Sequence, residues 1–332
     1  MLEPTPVKVT LSNIHCYDEG DSIGSAEPYL WTVFFKIDGD TAHVNTGMFL
    51  EGTATVVATP GNHGDLGPGG VDGGEDVPIP PELGEFSTIL TPIPVDGNTT
   101  TNLPGVVGCV VILLEQDSTP DHAVATGHQT LNDAVQQALN DLIPTLHLGH
   151  TSPSDDDIKK LTDKIGKQVE DAISDQVSIW DWLKVLGNMD DKIGSAVFYK
   201  SQSDILSALM DGIAIEQEWE NEGDWKIMGR IGAVIDALQI SWVHKPSGNA
   251  EAHHIEFVGG VVKGQPWQLP TKDVIRWIEA GTPFHVLGND GSHSEVGVYK
   301  HWVSTANPTG LYIATNRDGS KADNLLSLPD QM

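Results

Sequence analysis

The segment that most constrains the fold is VVGCVVILL at residues 106–114, the most apolar strand-like stretch of the chain. It is rich in β-branched residues, which favour strands. It is also far shorter than the roughly 20 apolar residues that a membrane-spanning helix needs. Continuous apolar runs of this kind are typical of strands that are buried on both faces. The segment therefore predicts a strand at the centre of a sheet.

Further strand-like runs lie on both sides of this segment. Residues 7–16, 29–37 and 53–59 alternate or cluster β-branched and aromatic residues, and residues 193–200 and 225–235 do the same later in the chain. We expect these runs to form an antiparallel β-sandwich domain within residues 1–245.

Between these strand regions the apolar spacing changes to that of α-helices. One face contains Leu131, Val135, Ala138, Leu139 and Leu142, and a second contains Ile158, Leu161, Ile165, Val169, Ala172 and Ile173. Trp180 and Trp182 belong to a short third helix, where we expect one ring in the core and the other at an interface. The spacing predicts a helical insertion at about 129–187.

The last part of the chain, 251–332, predicts a small separate domain after a linker, PSGN, at 246–249. A strand at 253–262 is followed by a helix from Thr271 to Ala280 and then by three further strands. This β-α-β-β-β order is typical of a small α+β domain. The predicted fold class is therefore α+β multidomain, with the β-sandwich and its helical insertion first.

The charge distribution limits the partners of the protein. Eighteen Lys and Arg against 47 Asp and Glu give a formal net charge of −29, which repels nucleic acid and anionic membranes unless it is neutralised. No Lys or Arg occurs between Lys36 and Lys159, a stretch that contains eighteen carboxylates. These groups must be solvated, spread out, or neutralised by a metal ion or another chain.

The cysteines and the N-terminus bear on the cellular compartment. Cys16 and Cys109 both lie in strand-like runs, and two cysteines do not make a disulfide framework. The N-terminus has no basic region followed by a long apolar stretch, and no run is long enough to span a bilayer. We therefore expect a protein with reduced thiols and no transmembrane segment that is cytoplasmic or exported without a cleaved signal peptide.

Three short segments resemble parts of C2-type calcium-binding β-sandwich domains. DEGDSIGSAEPY at 18–29 resembles their first calcium loop, with Ala-Glu-Pro-Tyr where the family usually has Ser-Asp-Pro-Tyr. LLEQDST at 113–119 and MDDKIGSAVF at 189–198 resemble the acidic segments around their later loops. In that family the second and third segments are nearly adjacent, whereas here the helical insertion separates them. An alternative alignment uses Asp117 to Asp121 alone and needs no insertion.

The resemblance implies a calcium site on these loops. Calcium binds about 6–8 oxygen ligands and favours clustered carboxylates on flexible loops. The ligands that the resemblance implies are Asp18, Asp21, Glu27, Asp117, Asp190 and Asp191. The alternative is that these are ordinary solvated turn residues on a sandwich without metal.

The C-terminal 80 or so residues resemble a small bacterial domain of unknown function. The resemblance rests on VIRWIEAG at 274–281, IATNRDG at 313–319 and the ending DNLLSLP at 323–329. It implies a fold unit and carries no known activity.

Motifs of catalysis are largely missing from the sequence. It has no G-x-S-x-G elbow, P-loop, H-E-x-x-H or CxxC pair. The closely spaced histidines lack the three or four partners that zinc needs, and we expect them at the surface or at helix caps; they are His122, His128, His147, His150, His253 and His254.

These observations favour a non-enzymatic binding or adaptor protein with acidic loops that bind calcium. Through calcium it would contact anionic lipid, glycan or a protein partner. The alternative is a structural subunit of a homo-oligomeric or fibrous bacterial assembly, formed by self-association. A metal-dependent hydrolase is a further alternative.

Overall fold

The computed structural model describes residues 1–20, 25–66, 69–116, 119–148, 191–209, 211–235, 237–245, 255–262, 264–279, 282–287, 293–300, 310–315 and 325–330. Trp180, Trp182, most of the predicted helical insertion and the predicted linker at 246–249 lie outside these ranges. Contacts divide the chain into two compact units, Met1–Val234 and Ile235–Met332. In the described part of the chain, no helix is both long and apolar enough to cross a membrane.

Unit 1 consists mainly of strands. β1 to β13 span Thr5–Asp18, Pro28–Ile37, Ala42–Val44, Leu50–Gly52, Thr55–Ala58, Asp76–Pro78, Glu85–Leu90, Ile93–Val95, Asn98–Leu103, Val106–Glu115, Asp191–Ser201, Ile213–Trp219 and Asp224–Ala233. Its helices α1, α2 and α3 span Pro81–Gly84, Asp121–Leu142 and Gln202–Ser207, and a 3-10 turn covers Ile143–Thr145.

The strands of unit 1 form three sheets. Sheet 1 has the order β12-β13-β1-β6, with β7 also paired to β1. Sheet 2 has the order β11-β10-β2-β5, and the small sheet 3 has the order β4-β3-β8-β9. The segment predicted as a central strand is β10, which lies between β11 and β2, as expected. Neighbouring strands run antiparallel except β3 and β8.

Sheet 2 is the middle layer of unit 1. Every residue of β2 is buried because both faces of this sheet are covered. The odd-numbered residues from Tyr29 to Ile37 pack with α2 and sheet 3 in one apolar cluster. Leu30 and Phe34 point to the other face and pack with sheet 1. The largely apolar sequence of β2, in which only Thr32 and Lys36 are polar or charged, reflects this double burial.

The first predicted helix is α2, which begins at Asp121, before the apolar repeat that starts at Leu131. Its predicted apolar face is buried from Leu131 to Leu142 and packs against sheet 2. The first turn follows Pro120 and contains Asp121, whose negative charge suits the positive end of the helix dipole. Pro144 in the following 3-10 turn is incompatible with further α-helix.

The last cation before the Lys-free stretch is itself buried. Lys36 lies near the end of β2 and donates hydrogen bonds to Asp38 at 2.7 Å and to Asp40 at 2.5 Å. Burial opposes the charge of Lys36, but the hydrogen bonds to these two carboxylates outweigh it, so that its pKa is raised. Two of the eighteen carboxylates thus share one cation within the fold.

Unit 2 contains two sheets and one helix in its described residues. β14 to β20 span Leu238–Ile240, Trp242–His244, Phe257–Val262, Gln265–Pro270, Phe284–Leu287, His293–Lys300 and Leu311–Thr315. α4 spans Thr271–Glu279, and a 3-10 turn covers Leu325–Ser327. The sheet orders are β14-β18-β19-β20 and β15-β16-β17.

The elements predicted for the C-terminal region are present as β16, α4, β18, β19 and β20. β17 was not predicted, because Pro266 and Pro270 argue against a strand; it lies at the edge of its described sheet, where proline is tolerated. The sequence-based boundary at 245–251 stays a prediction. The contact-based division falls earlier, since β14 pairs with β18 and β15 with β16.

Candidate functional site

Three strand ends meet at one edge of sheet 2. In the antiparallel register, Glu115 at the end of β10 lies opposite Pro28 of β2 on one side and Asp191 of β11 on the other. The backbone N–H of Gln116 donates to the carbonyl of Glu27 at 3.0 Å. The loops that precede β2, follow β10 and precede β11 therefore leave the sheet at the same edge. We call this edge, marked by Glu27, Glu115 and Asp191, the acidic end of unit 1.

The loop from β1 to β2 carries Asp18 at its start and Glu27 at its end. Asp18 is the last residue of β1, and its Oδ1 accepts the N–H of Gly20 at 3.0 Å. Gly20 has a φ of +78° and lies against Gly223, where an added Cβ would be 2.6 Å from the Gly223 nitrogen. Only glycine fits this approach, which fixes the start of the loop next to the β12–β13 turn.

The predicted calcium ligands fall partly within the described residues. Asp18 and Glu27 are described, and Asp191 is placed by its backbone as the first residue of β11. The ligands outside the described ranges are Asp21, Asp117 and Asp190. Among the described side chains, no three His, Cys, Asp or Glu residues are grouped so as to hold a metal ion. The predicted ligands are all carboxylates, and such an all-oxygen donor set is the kind that suits calcium.

A turn beside β1 adds further negative charge close to Asp18. Glu19 Oε2 accepts the N–H of Gly73 at 2.8 Å, and Gly74 donates its N–H to the Cys16 carbonyl at 2.7 Å. The thiol of Cys16 is buried beneath these carboxylates. Burial first, and then the charges of Glu19, Asp18, Glu75 and Asp72, raise the pKa of Cys16 to about 11.

The loop at 59–66 covers the start of β2 and brings an imidazole and a protonatable carboxyl to the region. Asp65 Oδ1 accepts the N–H of Leu30 at 3.0 Å, and burial raises the pKa of Asp65 to about 7. His63 Nδ1 lies 3.0 Å from Asp121 Oδ1 at the start of α2. The His63 ring also packs edge-on against Tyr29 with a centroid distance of 5.0 Å.

Four buried polar atoms near this loop lack a hydrogen-bond partner within the protein as described: Trp31 Nε1, Asp65 Oδ2, His128 Nε2 and Asn132 Oδ1. Trp31 and His128 are neighbours, with ring centroids 5.6 Å apart. Burial lowers the pKa of His128 and keeps it neutral at neutral pH. This region is therefore a polar part of an otherwise apolar core.

The expectation that His128 lies at the surface or at a helix cap is wrong. It is 5% exposed, because it lies on the face of α2 that packs on β2. His63 and Asp65 were not predicted as site residues, because the Gly- and Pro-rich segment around them indicates only a loop. The usable signal was a histidine and an acid within three residues of each other in a loop next to an apolar strand.

A pair of neighbouring histidines in unit 2 was also missed by sequence analysis. His285 and His293 lie on the paired strands β18 and β19, with ring centroids 5.0 Å apart. Partial burial and the neighbouring His293 lower the pKa of His285. The signal was the Gly-Asn-Asp-Gly sequence at 288–291 between two predicted strands, which favours a hairpin.

Comparisons with known proteins bear on unit 2. Residues 239–329 match the model of a family described as protein of unknown function (DUF3892). No curated protein and no solved structure matches the chain. The match at residues 239–329 supports the expectation of a C-terminal domain of unknown function.

Proposed function

We propose that this protein is a non-enzymatic binding or adaptor protein that works through the acidic end of unit 1. The observation that carries the proposal is the register of sheet 2, in which Glu115 lies between Pro28 and Asp191. This register brings the segments before β2, after β10 and before β11 to one edge. Each of these segments carries predicted ligands.

Calcium is the cation that suits these segments best. The proposed ligands are Asp18, Asp21, Glu27, Asp117, Asp190 and Asp191, which stand where the C2-type resemblance expects them. Without a cation, several carboxylates brought to one edge repel one another. With one bound, the ion supplies positive charge that offsets this repulsion.

The role of the ion would be to convert a repulsive surface into a docking surface. A calcium ion held by loop carboxylates keeps coordination positions for oxygen atoms of a partner, because it accepts about 6–8 ligands. Anionic lipid headgroups, glycan hydroxyls and carboxylates of a protein partner all supply such oxygens. The proposed activity is therefore calcium-dependent docking.

Thermal unfolding in EGTA and in millimolar calcium tests the proposal. Binding to the native state stabilises it by about 2.7 kcal/mol at a hundredfold excess over Kd. We expect a calcium-specific rise in Tm that magnesium does not reproduce and that Asp21→Asn, Glu27→Gln and Asp117→Asn each reduce. Asp141→Asn, which removes one exposed charge at the far end of α2, is the matched control.

Thermal unfolding, together with assays of assembly and turnover, separates the alternatives. An unchanged Tm with calcium, together with concentration-dependent assembly in EGTA, would favour a structural subunit that self-associates. Turnover of a test ester or phosphoester that a zinc chelator abolishes would favour a metal-dependent hydrolase.

A further inference from the structure

The outer face of one sheet of unit 2 carries a cross-strand histidine pair. β18 and β19 pair antiparallel, with Leu287 opposite His293 and His285 opposite Glu295. The intervening residues of the two strands are buried; they are Phe284, Val286, Ser294 and Val296. Because side chains alternate along a strand, His285, His293 and Glu295 share the opposite face. His293 and Glu295 are exposed there, and His285 is half-buried.

The spacing of the two imidazoles suits a shared metal ion. Their ring centroids are 5.0 Å apart. Two imidazoles that bind one ion through metal–nitrogen bonds of about 2.0–2.1 Å at a near-tetrahedral angle also have centroids roughly 5 Å apart. Only side-chain torsions need to change for both rings to present a nitrogen to one ion.

We propose that His285 and His293 form a two-imidazole site for a transition-metal dication of the zinc, copper or nickel type. Among the described side chains no three potential ligands are grouped as a complete metal centre, and the proposed site is a two-residue chelate whose other positions are taken by water. A bound ion would bridge β18 and β19 and stabilise their pairing, because the unfolded chain does not hold the two imidazoles together.

The chemistry separates this site from the calcium site proposed for unit 1. Imidazole nitrogen is a ligand for zinc, copper and nickel, whereas calcium takes oxygen ligands. The two sites therefore respond to different ions and different variants, and either one can be absent without affecting the other.

Isothermal titration of the full, tag-free chain with zinc, repeated with nickel and with calcium, tests the site. We expect His285→Asn and His293→Asn each to weaken zinc binding at least tenfold. His244→Asn is the matched control, because His244 belongs to the other sheet of unit 2, and we expect it to bind zinc like the wild type. Thermal unfolding in EDTA checks that each variant is folded.

A second readout identifies the ligands directly. Zinc should shift the imidazole resonances of two histidines in a long-range nitrogen–proton spectrum, and these two should be the ones that disappear in His285→Asn and His293→Asn. The proposal is overturned if the wild-type protein binds neither zinc nor nickel in these titrations. It is equally overturned if either single variant retains wild-type affinity.

Discussion

The ammonium group of Lys36 donates a hydrogen bond to Asp38 Oδ2 at 2.7 Å, and the Asp38 side chain is completely buried. Asp38 also accepts the backbone N–H groups of Asp40 and Thr91 through its two carboxylate oxygens. Asp40 receives a second hydrogen bond from Lys36, which together with Thr91 holds its pKa below the ordinary value. This cluster ties the end of β2 to the β7–β8 connection and thereby fixes sheet 2 relative to sheet 3.

Removing the cation of this cluster should destabilise unit 1 strongly. Lys36→Met leaves Asp38 as a buried charge without its counter-ion, and breaking a buried pair in this way costs about 3–5 kcal/mol. Urea denaturation measures the loss. The exposed pair Lys8–Glu85 supplies the control, since Lys8→Met should cost less than about 1 kcal/mol. Equal effects of the two substitutions would mean that Asp38 is better solvated than its burial indicates.

The contact between the 59–66 loop and α2 should not tolerate one added methyl group. A Cβ on Gly61 would lie 2.3 Å from His128 Nδ1, and the His128 ring is held between Gly61 and Trp31. We expect Gly61→Ala to destabilise by about 1–3 kcal/mol, as overpacking does, and to alter Trp31 fluorescence. Gly69→Ala, where a Cβ has no neighbour within 4 Å, should leave both unchanged. If Gly61→Ala changes neither the stability nor the Trp31 fluorescence, the loop does not pack on α2.

The fold could be predicted from the sequence where burial requires a recognisable pattern of apolar residues. β2 and β10 are buried at every position except Glu115 because sheet 2 is covered on both faces, and the central position of β10 followed from its apolar sequence. The start of α2 could not be placed, because Val124 is its only buried aliphatic side chain before Leu131. Sheet 3 could not be predicted from the sequence, because β3, β4 and β8 are three residues long and give no recognisable strand pattern.

The candidate site was less accessible to sequence analysis, because strand register determines it. The sequence shows that acids flank β2, β10 and β11, but it does not show that Glu115 pairs with both Pro28 and Asp191. The same holds for His63 and Asp65. These two residues become part of a site only because their loop folds back over the start of β2.

Both thiols should be unreactive in the native protein. Cys16 and Cys109 are fully buried and unpaired, and burial raises the pKa of each thiol. Because the thiolate is the nucleophile, we expect no reaction with Ellman's reagent at pH 8 in buffer and two thiols per chain in guanidinium. Rapid labelling of one thiol in native protein would indicate local opening; the variant Cys109→Ser would then show whether Cys16 is the exposed one.

The stability of unit 1 should fall as the pH rises from about 4 to 7 because of Asp65. Its folded-state pKa is about 7, above the unfolded value of about 3.9. The protonated form is therefore favoured by folding, and its contribution is complete below about pH 4 and is lost as the pH rises through 7. Asp65→Asn keeps an acceptor for the Leu30 N–H but cannot ionise.

The test of this prediction is guanidinium denaturation of the wild type and of Asp65→Asn at pH 4.5, 5.5, 6.5 and 7.5. The unfolding free energy of the wild type minus that of Asp65→Asn should fall as the pH rises, by at most about 1.4 kcal/mol per pH unit. Above pH 7 this difference should level off. Asp141→Asn, with an exposed carboxyl, should run parallel to the wild type. If Asp65→Asn also runs parallel, Asp65 is ionised in the folded protein, and the loop at 59–66 then contributes a fixed negative charge next to the acidic end.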